Sequence, residues 1–159
     1  MKTQAILRHI IRPTLAHLAL TEPRLESAAA ENLMLGTGLV ESLFKNIVQI
    51  KGPALGPWQI EPTTFQDVYG RYLPVMRLDL LSAVNLLLIP AIKPFDQLAV
   101  NLMFNCAIAR IKYWMAPEPL PDADDIEGLG RYHKTHYNTA LGKADPAEFV
   151  RRWRKSCRS

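Results

Sequence analysis

Apolar residues recur at intervals of three and four along most of the chain, and this helical spacing constrains the fold more than any other feature. Alternating strand patterns are missing apart from a short possibility around Ile47 to Ile50. The expected class is mainly α. A first helix is predicted over residues 3–20, bent or restarted at Pro13, with Ile6, Ile10 and Leu18 among its apolar positions. A second follows Thr21 as N-cap, with Pro23 in its first turn, and its stripe of Leu25, Ala29, Leu33, Gly36, Val40 and Phe44 marks one buried face. Residues 45–59 then break the period with Gly52, Pro53, Gly56 and Pro57, which reads as a long ordered loop of the kind that often carries function. Helical signals resume after Pro62, break at Pro74 and continue over 80–88. From 97 to 115 the apolar residues surround the helix, which assigns it to the middle of the domain. Beyond Pro117, Pro119 and Pro121, the acidic start at Asp122, Asp124 and Asp125 suits the positive end of a helix expected to reach about Tyr137. A last helix over 145–156 has Asp145 as cap, Pro146 in the first helical position and Glu148 reaching back.

With 159 residues and a mean hydropathy near zero, the chain suits a single domain over 1–159, with the N-terminal helix 3–20 and the basic C-terminal helix 145–156 as peripheral elements. Part of the net charge of +4 sits in Arg151, Arg152, Arg154, Lys155 and Arg158. That run is either a solvated helix face or a contact for an anionic partner such as a lipid surface, nucleic acid or the cell wall. One short basic segment without a nucleic-acid-binding fold does not specify a nucleic-acid partner. Cys106 and Cys157 make neither a disulfide framework nor a zinc pattern. Arg8, His9 and Arg12 interrupt any signal-like apolar run, so synthesis in the cytoplasm without a signal peptide is expected. The apolar window 80–92 is too short for a transmembrane segment. His133 and His136 stand three apart on one helix, yet no third ligand is indicated and no metal is expected. Phosphate-binding, nucleophile-elbow and dinucleotide motifs are also missing, so no cofactor is expected.

Glu41 and Ser42 end the second helix, preceded by Gly36, Gly38, Leu39 and Val40. A carboxyl group against that apolar face loses hydration when ionised, which raises its pKa and lets it stay protonated as a general acid. By position alone, a glutamate near a helix C-terminus is more often a solvated surface residue.

The loop carries a resemblance. Residues 52–63, Gly-Pro-Ala-Leu-Gly-Pro-Trp-Gln-Ile-Glu-Pro-Thr, resemble the Gly-Ala-x-Gly-Leu-Met-Gln-Ile-x-Pro-x-Thr signature of the soluble, goose-lysozyme-like lytic transglycosylases, in which a Glu-Ser pair also ends the preceding helix. The interval from Glu41 to Gln59 is similar to the family's. Residues 105–113 resemble its Asn-Ile-x-x-Gly-x-x-Tyr-Leu helix, with Ala109 in the glycine place, and Tyr137 and Asn138 with residues 139–142 resemble its Ala-Tyr-Asn-Ala-Gly segment. The resemblance implies a lysozyme-like domain that cleaves peptidoglycan glycan strands without a cofactor. It further implies Glu41 as the single acid and base, Gln59 in the sugar cleft, Tyr137 close to the carboxyl group and Asn138 in the same wall, with Ser42 beside them.

Pro57 and Trp58 replace the family's usual Leu and Met, and Trp58 either stacks on a sugar face or fills the core. Glu61 stands where the family has an apolar residue; it is either a surface residue before a helix start or a second carboxylate that positions water in a hydrolytic lysozyme. A third reading keeps the fold without turnover, as a bacteriophage structural or ejection protein in contact with other virion proteins. The short length and the 52–62 region resemble phage and prophage products, which implies action at the cell wall or periplasm, carried in a virion or released through a separate pore.

Overall fold

The computed structural model describes residues 3–138 and 145–157. Residues 3–19 form one continuous helix, α1, in which α-helical Thr3–Ile6 and Arg12–Ala19 flank a π-helical stretch, Leu7–Ile11. Pro13 follows that widened stretch, where the altered ladder accommodates a residue that has no N–H to offer the carbonyl one turn back. The same arrangement recurs over 62–76, α3, where π-helical Gln66–Tyr72 lies between Pro62–Phe65 and Leu73–Met76, just ahead of the Pro74 ring. Pro74 therefore does not end its helix as expected. The break falls at Arg77, whose non-helical backbone separates α3 from α4, Leu78–Asn85.

The second helix also starts later than the sequence implied. Glu22, not Thr21, caps a short 3-10 turn at Pro23–Leu25, and Ser27 caps α2, Ala28–Glu41, by accepting the Ala30 N–H at 3.0 Å. One buried face was expected, but residues 33–39 are buried on every side. Four other helices enclose α2: α1, α6 (Leu102–Trp114), α7 (Ile126–His136) and α8 (Pro146–Ser156). The predicted continuous helix over 97–115 is divided at Asn101, which ends α5 (Pro94–Val100) and caps α6 by accepting from Phe104 N at 3.0 Å. The all-round burial expected there holds for residues 104–111.

Asp125 caps α7 through the Gly128 N–H at 2.8 Å, and Asp145 caps α8 through Ala147 N at 2.9 Å. Glu148 does not reach back; it pairs forward with Arg151 and Arg152. Nor is α8 peripheral, because Phe149 is fully buried against α2 at Gly36. A Cβ at Gly36 would lie 2.0 Å from the Phe149 ring, so only glycine permits this approach. Burying an aromatic or aliphatic side chain of this kind contributes about 1.5–3 kcal/mol, which ties the basic helix to the core rather than leaving it as a free tail. Its arginines are engaged as well: Arg154 pairs with Glu127, and Arg152 donates to the carbonyls that end α2. No described helix is long and apolar enough to cross a membrane, and both cysteines are free.

Between α2 and α3 the chain makes two isolated antiparallel bridges, Val48 with Leu55 and Leu55 with Ile60. The backbone bonds Gln49 N to Ala54 O (2.9 Å), Gly56 N to Ile47 O (2.8 Å) and Ile60 N to Leu55 O (2.9 Å) hold this loop folded on itself.

Candidate active site

Glu41 is the last residue of α2, with one fifth of its side chain exposed. The segments on either side of it are drawn together by hydrogen bonds to the loop. Ser42 Oγ donates to Pro57 O at 2.7 Å and accepts the Phe44 N–H at 3.0 Å. Asn105, on α6, accepts the Trp58 N–H at 3.1 Å and donates to Leu55 O at 3.2 Å. Tyr137, just past α7, donates its hydroxyl to Trp58 O at 2.6 Å. The Glu-Ser pair, the loop, the Asn105 helix and Tyr137 therefore meet at one place, although they span some hundred residues of sequence. Gly56 makes the meeting possible. Its φ is +76°, and a Cβ there would lie 2.2 Å from Leu98 O and 2.4 Å from Asn105 Cγ.

The carboxyl group of Glu41 is held well above the ordinary carboxylate range, at about 7. Burial is the main cause, since little water remains to solvate the charge; the nearby charge of Glu61 adds to it, while Lys112 and Arg152 oppose it. Lys112 reaches the site from α6, donating to Tyr137 O at 2.7 Å with its ammonium 4.2 Å from the Tyr137 ring centre. Arg152 reaches it from α8, donating to Leu39 O at 2.6 Å and Val40 O at 3.2 Å. His133 Nε2 lies 3.4 Å from Glu41 Oε1. That contact is not an ion pair near neutrality, because burial also pushes the His133 imidazole down to about 4.

The remaining residues singled out from sequence divide into those facing the site and those that build it. Trp58 is fully buried, with its indole N–H on Met34 O at 2.8 Å and its ring edge-on to Phe44. It fills the core, so the sugar-stacking role is corrected: no face of the ring is open. Ser42 is also buried and its hydroxyl is committed to the loop backbone, which makes it a support for Glu41 and not a sugar contact. Gln59 adopts a positive φ of 48° and is half-buried, its amide donating to Gly56 O at 2.8 Å. Glu61 is exposed just before α3 and makes no capping bond, so its carboxylate remains available. Tyr137 lies close enough to Glu41 to feel its charge, and burial raises its phenol well above the usual value. Asn138 is half-buried, its backbone N–H on His133 O at 3.2 Å. Thr139, Ala140, Leu141 and Gly142 lie outside the described residues.

His133 and His136 take separate partners, since His136 Nε2 lies 3.3 Å from Glu118 while His133 faces Glu41. Among the described residues no group of three or more His, Cys, Asp or Glu side chains is placed to hold a metal. Concavities of about 460 Å³, lined by Arg110, Trp114 and Tyr132, and about 310 Å³, lined by Thr64, Lys112 and His136, lie elsewhere on the surface. Glu41 lines neither, although Lys112 joins the smaller one to its surroundings.

Sequence reasoning missed Lys112, Arg152 and the role of His133. Each had a signal: the one Lys of a mostly apolar helix, an Arg one turn after the core residue Phe149, and a His one turn before Tyr137. Compared with known protein families, characterised proteins and solved structures, the chain gives no match.

Proposed function

We propose that this chain is a lysozyme-like peptidoglycan lytic transglycosylase with Glu41 as its single acid and base. The observation that carries the reading is the Glu41 carboxyl group itself, held at about 7 by burial at the end of α2 and left one-fifth exposed beside the loop. A carboxyl group poised there is protonated often enough to donate and basic enough to accept at neutral pH. It protonates the oxygen between N-acetylmuramic acid and N-acetylglucosamine as an oxocarbenium-like centre develops. As carboxylate it takes the proton of the muramic 6-hydroxyl, which attacks the anomeric carbon and closes a 1,6-anhydro ring. The internal hydroxyl replaces water, so a second carboxylate is unnecessary. In this reading Gln59 and Asn138, both half-buried, face the sugar, Tyr137 supports the loop through Trp58 O, and the protein acts at the bacterial wall.

A second reading has one observation in its favour. Glu61 is exposed, uncommitted and near enough for its charge to raise the Glu41 pKa, as a water-positioning carboxylate in a hydrolytic lysozyme would be. Incubation of purified sacculi with the wild type and with Glu41→Gln tests the main proposal. Soluble muropeptides are expected from the wild type alone. No release by the folded wild type, on several wall types, overturns the catalytic reading in favour of a non-catalytic, phage-type structural role.

A further inference from the structure

Behind Glu41 runs a chain of buried hydrogen bonds that glycan cleavage as described above does not require. Thr37 Oγ1 donates to Leu33 O at 2.7 Å within α2, and lies 2.7 Å from the Tyr113 hydroxyl. That hydroxyl lies 2.8 Å from His133 Nδ1, and His133 Nε2 lies 3.4 Å from Glu41 Oε1. Thr37, Tyr113 and His133 are all nearly inaccessible to solvent. Direction is fixed from the far end. The Leu33 carbonyl can only accept, so the one proton of Thr37 goes to it, and Thr37 Oγ1 must accept from Tyr113. The one proton of Tyr113 is thereby used, and its oxygen must accept from His133 Nδ1–H. A neutral imidazole with its proton on Nδ1 has a bare lone pair on Nε2. Nε2 is a buried atom without a hydrogen-bond partner, and what faces it is Glu41.

We propose that His133 is a positioning residue for Glu41: locked as the Nδ1–H tautomer by Tyr113 and Thr37, it presents a lone pair that accepts the Glu41 acid proton and repels the carboxylate. In the resting protein the proton sits on Oε1, directed at Nε2. Loss of that proton leaves the carboxylate oxygen opposite a lone pair, which makes the group a stronger base for recapturing one. The other charged and titratable groups around Glu41 are Lys112 on α6 and Arg152 on α8, which favour the carboxylate, and Glu61 before α3, which disfavours it. The Tyr113 and Tyr137 phenols are held neutral by burial. None of these is an acceptor aimed at the acid proton. The catalytic use of this arrangement rests on the transglycosylase reading, but the tautomer does not.

Long-range proton–nitrogen NMR on histidine-labelled wild type, at about pH 5.5, reads the tautomer directly, because His133 and Glu41 are then both neutral. The expected spectrum has His133 protonated at Nδ1 and bare at Nε2; protonation at Nε2 overturns the proposal. Carboxyl carbon titration of Tyr113→Phe supplies the second measurement. Without its acceptor the imidazole is free to turn its N–H toward Glu41, and proton binding by Glu41 should weaken about tenfold. An unchanged Glu41 titration in folded Tyr113→Phe also overturns the proposal. Neither readout needs cell-wall substrate, so a protein without glycan-cleaving activity would still pass or fail both.

Discussion

Glu41 is a site of stored instability, and Glu41→Gln should make the protein more stable in a pH-dependent way. The wild-type carboxyl group binds its proton at about 7 in the folded state, against 4.5 for the ordinary side chain. Between those values the folded protein holds a proton that the unfolded chain has released, so unfolding becomes easier as pH rises through the window. At about 1.4 kcal/mol per pH unit, the interval corresponds to about 3 kcal/mol, an upper value because part of the side chain touches water. Glutamine has the shape of the protonated acid, lacks the titration and can offer an amide N–H to His133. Near pH 4 wild type and Glu41→Gln should differ by less than about 0.5 kcal/mol, and near pH 8 the variant should be more stable by up to about 3 kcal/mol. Taking the difference cancels, to first order, the opposing contribution of His133, which stays neutral in the folded protein down to about 4 while the unfolded chain takes up a proton below 6.5. Urea unfolding of both proteins from about pH 4 to pH 8.5, with unchanged m-values, measures it. A stability difference that does not grow with pH would refute the claim that Glu41 is desolvated.

Gly56→Ala should destabilise by about 3 kcal/mol, since it combines a left-handed backbone with a clash against Leu98 O and Asn105; a loss below about 1 kcal/mol in urea unfolding would contradict the loop geometry. Arg152→Met removes two bonds to the carbonyls ending α2 and a cation that favours the Glu41 carboxylate. A loss of about 1–2 kcal/mol and a rise in the Glu41 pKa are expected, read by thermal unfolding and carboxyl NMR. Glu61→Gln deletes the charge that raises the Glu41 pKa, so the Glu41 titration should move to lower pH while the product of glycan cleavage stays the same. Loss of all turnover in that variant would favour the hydrolytic reading.

Helical class was legible because periodicity reports burial, and the cap Asp145 was legible because the side chain that satisfies the first turn is local, whereas Asp125 was read only as part of an acidic helix start. The features that sequence concealed are those set by non-local packing. Pro13 and Pro74 read as breaks, but a π-helical stretch ahead of each absorbs the ring. Asn101 read as an interior residue of an apolar helix, yet it divides that helix by capping the second half. Trp58 presented two readings whose choice depended on Met34 and Phe44, residues distant in sequence, and the core won. Glu41 stood out through the resemblance carried by the Glu-Ser pair and the loop, and its neighbours Lys112, Arg152 and His133 all come from other helices. The chain behind it was hidden because Thr37, Tyr113 and His133 come from three helices, and a lone buried histidine has no pattern of its own.

The most direct measurement of the central claim is digestion of purified peptidoglycan in oxygen-18 water, with the products identified by mass. The account predicts 1,6-anhydro-muramic ends without incorporated label from the wild type, and no cleavage by Glu41→Gln. Labelled reducing ends, or an undigested wall in the presence of folded wild type, would contradict it.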